Sequence, residues 1–155
     1  MSSYNEEFMK IALELARQAG EQGEVPVGAV IVRNGEIIAT GKNGRETEKN
    51  ALAHAEIEAI DNACKKLGGW RLPGCELYVT LEPCPMCAGA IINSRIENVY
   101  FGAFDKKAGS VSSMVQLFEL PYNHKPSAKG GLLEDECAAV LSDFFRTLRS
   151  RKSKQ

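Results

Sequence analysis

The sequence predicts an α/β domain of three layers, a mixed five-stranded sheet flanked by helices. Three observations carry this. An Asn34-Gly35 pair separates two apolar segments and reads as a tight hairpin. A strand, a short helix and another strand follow one another between residues 76 and 104, a crossover unit that makes its two strands parallel. Amphipathic stretches at both ends supply covering helices.

In chain order, the first helix is expected to bury Phe8, Ile11, Ala12, Leu15 and Ala19 on one face. Ser3 and Glu6 have capping-box spacing, and Gly20 and Gly23 are its stops. Pro26 to Val32 is a buried strand and Glu36 to Lys42 its antiparallel partner, with a polar loop from Asn43 to Asn50. A helix begins near Ala53, with Ile57, Ile60, Cys64 and Leu67 at helical spacing and Gly68-Gly69 at its end. Glu76 to Leu81 and Asn98 to Phe104 are the parallel strands, and Pro85 suits the first turn of the helix running to Ser94 between them. Residues 105–125 are loop-rich, with a helical piece at Val115 to Phe118 and a short fifth strand at Ala128 to Gly131. The last helix runs from Glu134 to Arg149, its apolar face made of Leu133, Cys137, Val140, Leu141, Phe144 and Leu148.

The chain has 155 residues, 44% of them apolar, which suits one domain, residues 1–155, with a basic tail from about residue 150. A net charge of −1 excludes nucleic-acid binding by bulk charge, so any such contact needs a local patch. The stretch from Arg146 to Gln155 carries five cations (Arg146, Arg149, Arg151, Lys152 and Lys154) and no acid; it reads as a phosphate-contacting run or as a solvated tail. No membrane-spanning run or secretory leader is legible, so a cytoplasmic location without membrane contact is expected. Five cysteines, an odd number, argue against a disulfide framework and for metal or catalytic use.

Two motifs carry the chemistry: His54-Ala55-Glu56 and Pro83-Cys84-Pro85-Met86-Cys87. Cys84 and Cys87 sit three apart at a helix start, so their sulfurs point to one side, and the helix N-terminus favours thiolates. Two thiolates neutralise a zinc dication, and His54 adds a neutral ligand. Three protein ligands leave one tetrahedral position for water, the mark of a catalytic site. Of the remaining candidates, Cys64, Cys75 and Cys137 read as core, and His124 reads as a loop hydrogen-bonder. Glu56, two residues beyond His54, is placed to move protons between that water, a ring nitrogen and a leaving amine. A lone C-x-x-C would also suit half a zinc ribbon or a redox pair. A ribbon needs a second ligand pair that the sequence lacks, and a redox motif leaves the H-x-E unexplained.

The pattern H-x-E…P-C-x-x-C resembles the zinc-dependent deaminases. The flanking segments, among them Gly23-Glu24-Val25-Pro26-Val27-Gly28, Leu81-Glu82-Pro83-Cys84, Ser94-Arg95-Ile96 and Asp143-Phe144-Phe145, are similar to the bacterial tRNA-specific adenosine deaminases of the cytidine-deaminase-like superfamily. That resemblance implies a cytidine-deaminase-like fold and one zinc ion per subunit. It also implies a homodimer that converts the wobble adenosine of a tRNA anticodon stem-loop, typically of an arginine tRNA, to inosine. By the same resemblance Asn43 and the backbone near Ala55 and Pro83 hold the base edge, and Val27 packs on its face. Asp105, Lys106, Asn123 and Phe144 match positions along the RNA path. From the residues alone, Asn43 favours the pocket over a plain turn role, while Asp105 is equally a loop start and Phe144 equally ordinary core. Cys-Pro-Met-Cys also occurs in guanine deaminases, so a guanine or cytidine deaminase acting on free base or nucleoside is the alternative. A non-catalytic RNA-binding module that keeps zinc for stability is the other.

Overall fold

Strands at Glu36–Lys42, Gly28–Arg33, Cys75–Leu81, Asn98–Ala103 and Ser127–Lys129 lie side by side in that order in one sheet. The structure, a computed structural model, describes residues 4–153. Its elements are α1 (Glu6–Glu21), β1 (Gly28–Arg33), β2 (Glu36–Lys42), α2 (Arg45–Glu48), α3 (Ala55–Leu67), β3 (Cys75–Leu81), α4 (Pro85–Ser94), β4 (Asn98–Ala103), β5 (Ser127–Lys129) and α5 (Glu134–Ser153), with a 3₁₀ turn at Leu117–Glu119. β1 pairs antiparallel with both β2 and β3, while β3, β4 and β5 run parallel. The hairpin turn has Asn34 and Gly35 at φ 52° and 76°, the left-handed pair that such a two-residue turn demands.

Alternation along the central strands divides the core in two. Ala29, Ile31, Leu77, Val79, Val99 and Phe101 pack under α3 and α4. Val30, Val32, Tyr78 and Tyr100 face the other way, toward α1 and α5. The sheet is thus buried on both faces, the arrangement that parallel strands require.

The helices meet the sheet through small residues. A Cβ at Gly41 would collide with the carbonyl oxygen of Ala55, and one at Gly28 with that of Ala12. Close approach rotates α3 from the expected face: Ala55, Glu56, Ala59 and Ala63 are buried, whereas Ile57, Ile60, Cys64 and Leu67 flank the contact. For the same reason α1 buries Met9, Ala12, Leu13, Ala16 and Ala19, and Ile11 is 40% exposed. The cap of α1 is Asn5, whose side chain accepts from the Glu7 amide; Ser3 lies outside the described residues.

Other boundaries move little. The segment expected as a loop from Asn43 contains the single turn of α2, closed by Lys49 at φ 52°. α5 continues to Ser153, so the basic stretch is helical as far as it is described, with Arg146 paired to Asp143; Lys154 lies outside the described residues. Among the described residues no helix is long and apolar enough to cross a membrane.

Candidate active site

Parallel strands deliver their functional loops at their carboxyl ends, and the site forms there. After Leu81 the chain leaves β3 through Glu82 and Pro83 into Cys84, the N-cap of α4, with Pro85 at the first helical position. His54 is the N-cap of α3. Neither Cys84 nor His54 spends its side chain on its own helix, so both are free to converge. Nδ1 of His54 lies 3.6 Å from Cys84 Sγ and 3.5 Å from Cys87 Sγ.

That spacing fits a metal. Bonds of about 2.3 Å to sulfur and about 2.05 Å to nitrogen, at the tetrahedral angle, hold S and N about 3.6 Å apart. Two sulfurs and one imidazole are also a zinc donor set. Among the described residues no fourth ligand joins these three.

The site's ionisation is set by proximity and burial. The Cys87 thiol, His54 and the α4 backbone hydrogen-bond to the Cys84 sulfur and hold its thiol down to about 4. The same bond to Cys84, with burial, pushes the Cys87 thiol up. The Cys84 thiolate raises His54. Glu56 is 3% exposed, and burial lifts its carboxyl to about 7, where it can both take and give a proton near neutral pH.

A pocket of about 580 Å³ opens over these groups. Val27, Asn43, Ala55, Asp105 and Lys106 line it with His54, Glu56 and Cys84. Asn43 is buried, donates its Nδ2 to the Val25 carbonyl and leaves its Oδ1 without a protein partner. Three other expected residues stand outside this pocket. Pro83 is buried, its carbonyl accepting from the Ser110 amide. Asn123 is exposed on the loop before β5. Phe144 lines a separate groove between α1 and α5, and its neighbour Phe145 lines the pocket instead. The structure adds Arg45, Phe104 and Lys107 to the lining, which sequence reasoning missed.

Two buried carboxylates hold the pocket's walls. Glu24, just before β1, accepts from the amides of Glu46 and Thr47 at 3.0 and 2.6 Å and from the Thr47 hydroxyl at 2.6 Å. Glu82, just after β3, accepts from the amides of Asp105, Val111, Ser112 and Ser113 at 3.0, 3.3, 2.8 and 2.8 Å and from the Ser113 hydroxyl. Gly109 lets that loop close, since a Cβ there would collide with the Glu82 carboxyl.

Burial alone would raise Glu24, but the Thr47 hydroxyl, the two amides and nearby Arg45 outweigh it and leave its carboxyl below the usual range. A lowered carboxyl adds stability above its unfolded pKa of about 4.3 and loses it as pH falls through the folded value. Glu24→Gln is therefore expected to lower the urea midpoint most at pH 7, with the deficit shrinking below about pH 4. A deficit equal at pH 7 and pH 3 would mean that the charge is not what stabilises.

The geometry invites comparison with known proteins. The model of the cytidine and deoxycytidylate deaminase zinc-binding region matches residues 2–103. The tRNA-specific adenosine deaminase of Bacillus subtilis is 56% identical over 149 residues, 96% of this chain and 92% of that protein. The chain belongs to the tRNA-specific adenosine deaminase family. The family member from Aquifex aeolicus is 50% identical, covering 94% of this chain and 96% of its own. A solved structure from work on A-to-I editing by tRNA:A34 deaminases at the wobble position matches with a TM-score of 0.86 at 49% identity, covering 88% of this chain and 100% of that one. The guanine deaminase of Nitrosomonas europaea shares the fold with a TM-score of 0.77 at 28% identity, over 93% of this chain and 86% of that one. The chain is thus a zinc-dependent deaminase with the cytidine-deaminase-like fold.

Proposed function

We propose that this chain hydrolytically deaminates the wobble adenosine of a tRNA anticodon loop to inosine, with His54, Cys84 and Cys87 holding zinc and Glu56 shuttling protons. The observation that carries the reading is one pocket that joins a His-Cys-Cys cluster and a buried glutamate to a cationic, aromatic rim of Arg45, Lys106, Lys107, Phe104 and Phe145. A free base needs the first half of that pocket. A nucleotide still joined to its neighbours also needs phosphate partners and a stacking face. The higher identity to tRNA deaminases than to the guanine enzyme, 56% against 28%, supports the same choice.

Zinc, when bound, polarises the attacking water and lowers its pKa toward neutrality. Glu56 takes a proton from that water as its oxygen attacks C6 of adenine. It delivers that proton to N1, then carries the remaining proton of the new C6 hydroxyl to the amine; the C6–N bond breaks, C6 becomes a carbonyl, and water and adenosine give inosine and ammonia. Val27 packs on the base face, and Asn43 Oδ1 takes a hydrogen bond from a donor on the base edge, with the Ala55 backbone beside it. Lys106 contacts the flanking phosphates, as does Arg45. We assign Asn123 and Phe144, which stand outside the pocket, to the RNA beyond the flipped nucleotide.

An arginine tRNA in the cytoplasm is the substrate we favour, and the acting unit we propose is a homodimer. Its support is an apolar groove beside α4, where Leu52, Met86, Ile92, Leu117 and Tyr122 gather. Leu52 and Tyr122 are 58% and 50% exposed there. Ammonia release from zinc-loaded protein given an anticodon stem-loop, guanine or cytidine tests the substrate, and sedimentation of the same sample tests the dimer. Turnover of the stem-loop by a species of twice the chain mass is expected. Turnover of guanine with no inosine in the RNA would replace this reading by the free-base one, and a monomer would remove the dimer from it.

A further inference from the structure

Glu24 and Glu82 are 1% and 2% exposed, and neither takes part in the chemistry above or in an ion pair among the described residues. A carboxylate out of water is tolerated only where donors replace its hydration. Here most of those donors are backbone amides of two segments with little regular structure, held otherwise only by short-range turn bonds and a few loop contacts. α2 is four residues long, far below the length at which a helix is stable alone. Residues 105–113 form no strand and no helix. The glutamates themselves are better anchored: Glu82 directly follows β3, and Glu24, between α1 and β1, donates its amide to the Ala19 carbonyl of α1.

The consequence is geometric. Arg45 opens α2, and its helix is fixed by Glu24 through the next two amides. Lys106 and Lys107 follow Asp105, whose amide is fixed by Glu82. Long cationic side chains are flexible, so where their charge is presented depends on where their backbone is anchored.

We propose that Glu24 and Glu82 are positioning residues that set the two cationic rims of the pocket, Arg45 on one side and Lys106 with Lys107 on the other, at the spacing an RNA strand requires. This rests on the RNA reading above. The rim acts away from the reacting carbon, so it binds ground state and transition state alike. Losing its placement raises KM and spares kcat.

The test is a pair of double-mutant cycles read as steady-state kinetics on a zinc-loaded stem-loop reaction, with zinc content and Tm measured on each variant. Wild-type turnover of the stem-loop, in the same assay, separates failure of the functional reading from failure of this one. Glu24→Gln and Glu82→Gln are each expected to raise KM about tenfold, with kcat within about twofold and zinc retained. Combined with Arg45→Ala, Glu24→Gln is expected to add nothing further. Combined with Lys106→Ala/Lys107→Ala, Glu82→Gln behaves likewise, because each glutamate acts through those cations. Thr47→Val keeps the Glu24 carboxylate and removes one donor, so it gives an intermediate KM and keeps the Glu24 arm readable if Glu24→Gln does not fold. A lowered Tm with unchanged KM, or losses that multiply in the double variants, would reduce both glutamates to structural roles and overturn the proposal.

Discussion

Glu56→Gln is expected to lower kcat by about 10²–10⁴-fold while leaving zinc content and fold intact, since a positioned acid-base group contributes on that order. The substitution is nearly isosteric, so it opens no cavity. It removes a carboxyl that burial already lifts to about 7, a group the fold holds at a cost. Thermal stability should therefore stay level or rise as activity disappears, the trade expected of a group kept for function and not for packing. Calorimetry and metal analysis beside the kinetics check both halves. Retained turnover would remove the shuttle from the mechanism, and lost zinc would mean that Glu56 acts on the metal site instead.

Cys84→Ser should be as severe by a different route. Cys84 supplies the thiol held down to about 4, the readiest anionic ligand of the three. Its loss is expected to reduce zinc occupancy and turnover together, by at least about 10³-fold in rate, given the several kcal/mol a Lewis acid supplies. Stability follows occupancy. At free zinc a thousandfold above its Kd the bound ion contributes about 4 kcal/mol, roughly 10 °C in Tm for a chain of this size. Chelation should lower the wild-type Tm by that order and leave Cys84→Ser unmoved. Full activity in chelated wild type would refute a catalytic metal.

Much of this site is local in sequence, which is why it can be read there. Cys84 and Cys87 share one helical turn, and His54 and Glu56 share the start of another, so spacing encodes their convergence. The Asn34-Gly35 turn likewise sets the pairing of Arg33 with Glu36 and of Val32 with Ile37, beyond which a bulge at Ile38 shifts the register by one. What escapes has non-local causes. Ala59 and Ala63 face the sheet because Gly41 draws α3 against β2, and a pattern weighted by apolar size picks Ile57 and Ile60 instead. Phe144 and Phe145 are one residue apart and about 100° apart on the helix, so a small error in phase exchanges them. Four-residue α2 is too short for any periodicity to register, which hides Arg45. Glu24 and Glu82 look like solvated charges beside strands. Their partners lie 22 to 31 residues away, in amides that carry no sequence signal.

The most direct measurement is to map inosine along an arginine tRNA anticodon stem-loop after single-turnover incubation with zinc-loaded protein, counting ammonia released. The expected result is inosine at the first anticodon position alone, with one ammonia per RNA. RNA that remains unedited at that position, or ammonia released without inosine, would contradict the assignment of this zinc site to wobble adenosine.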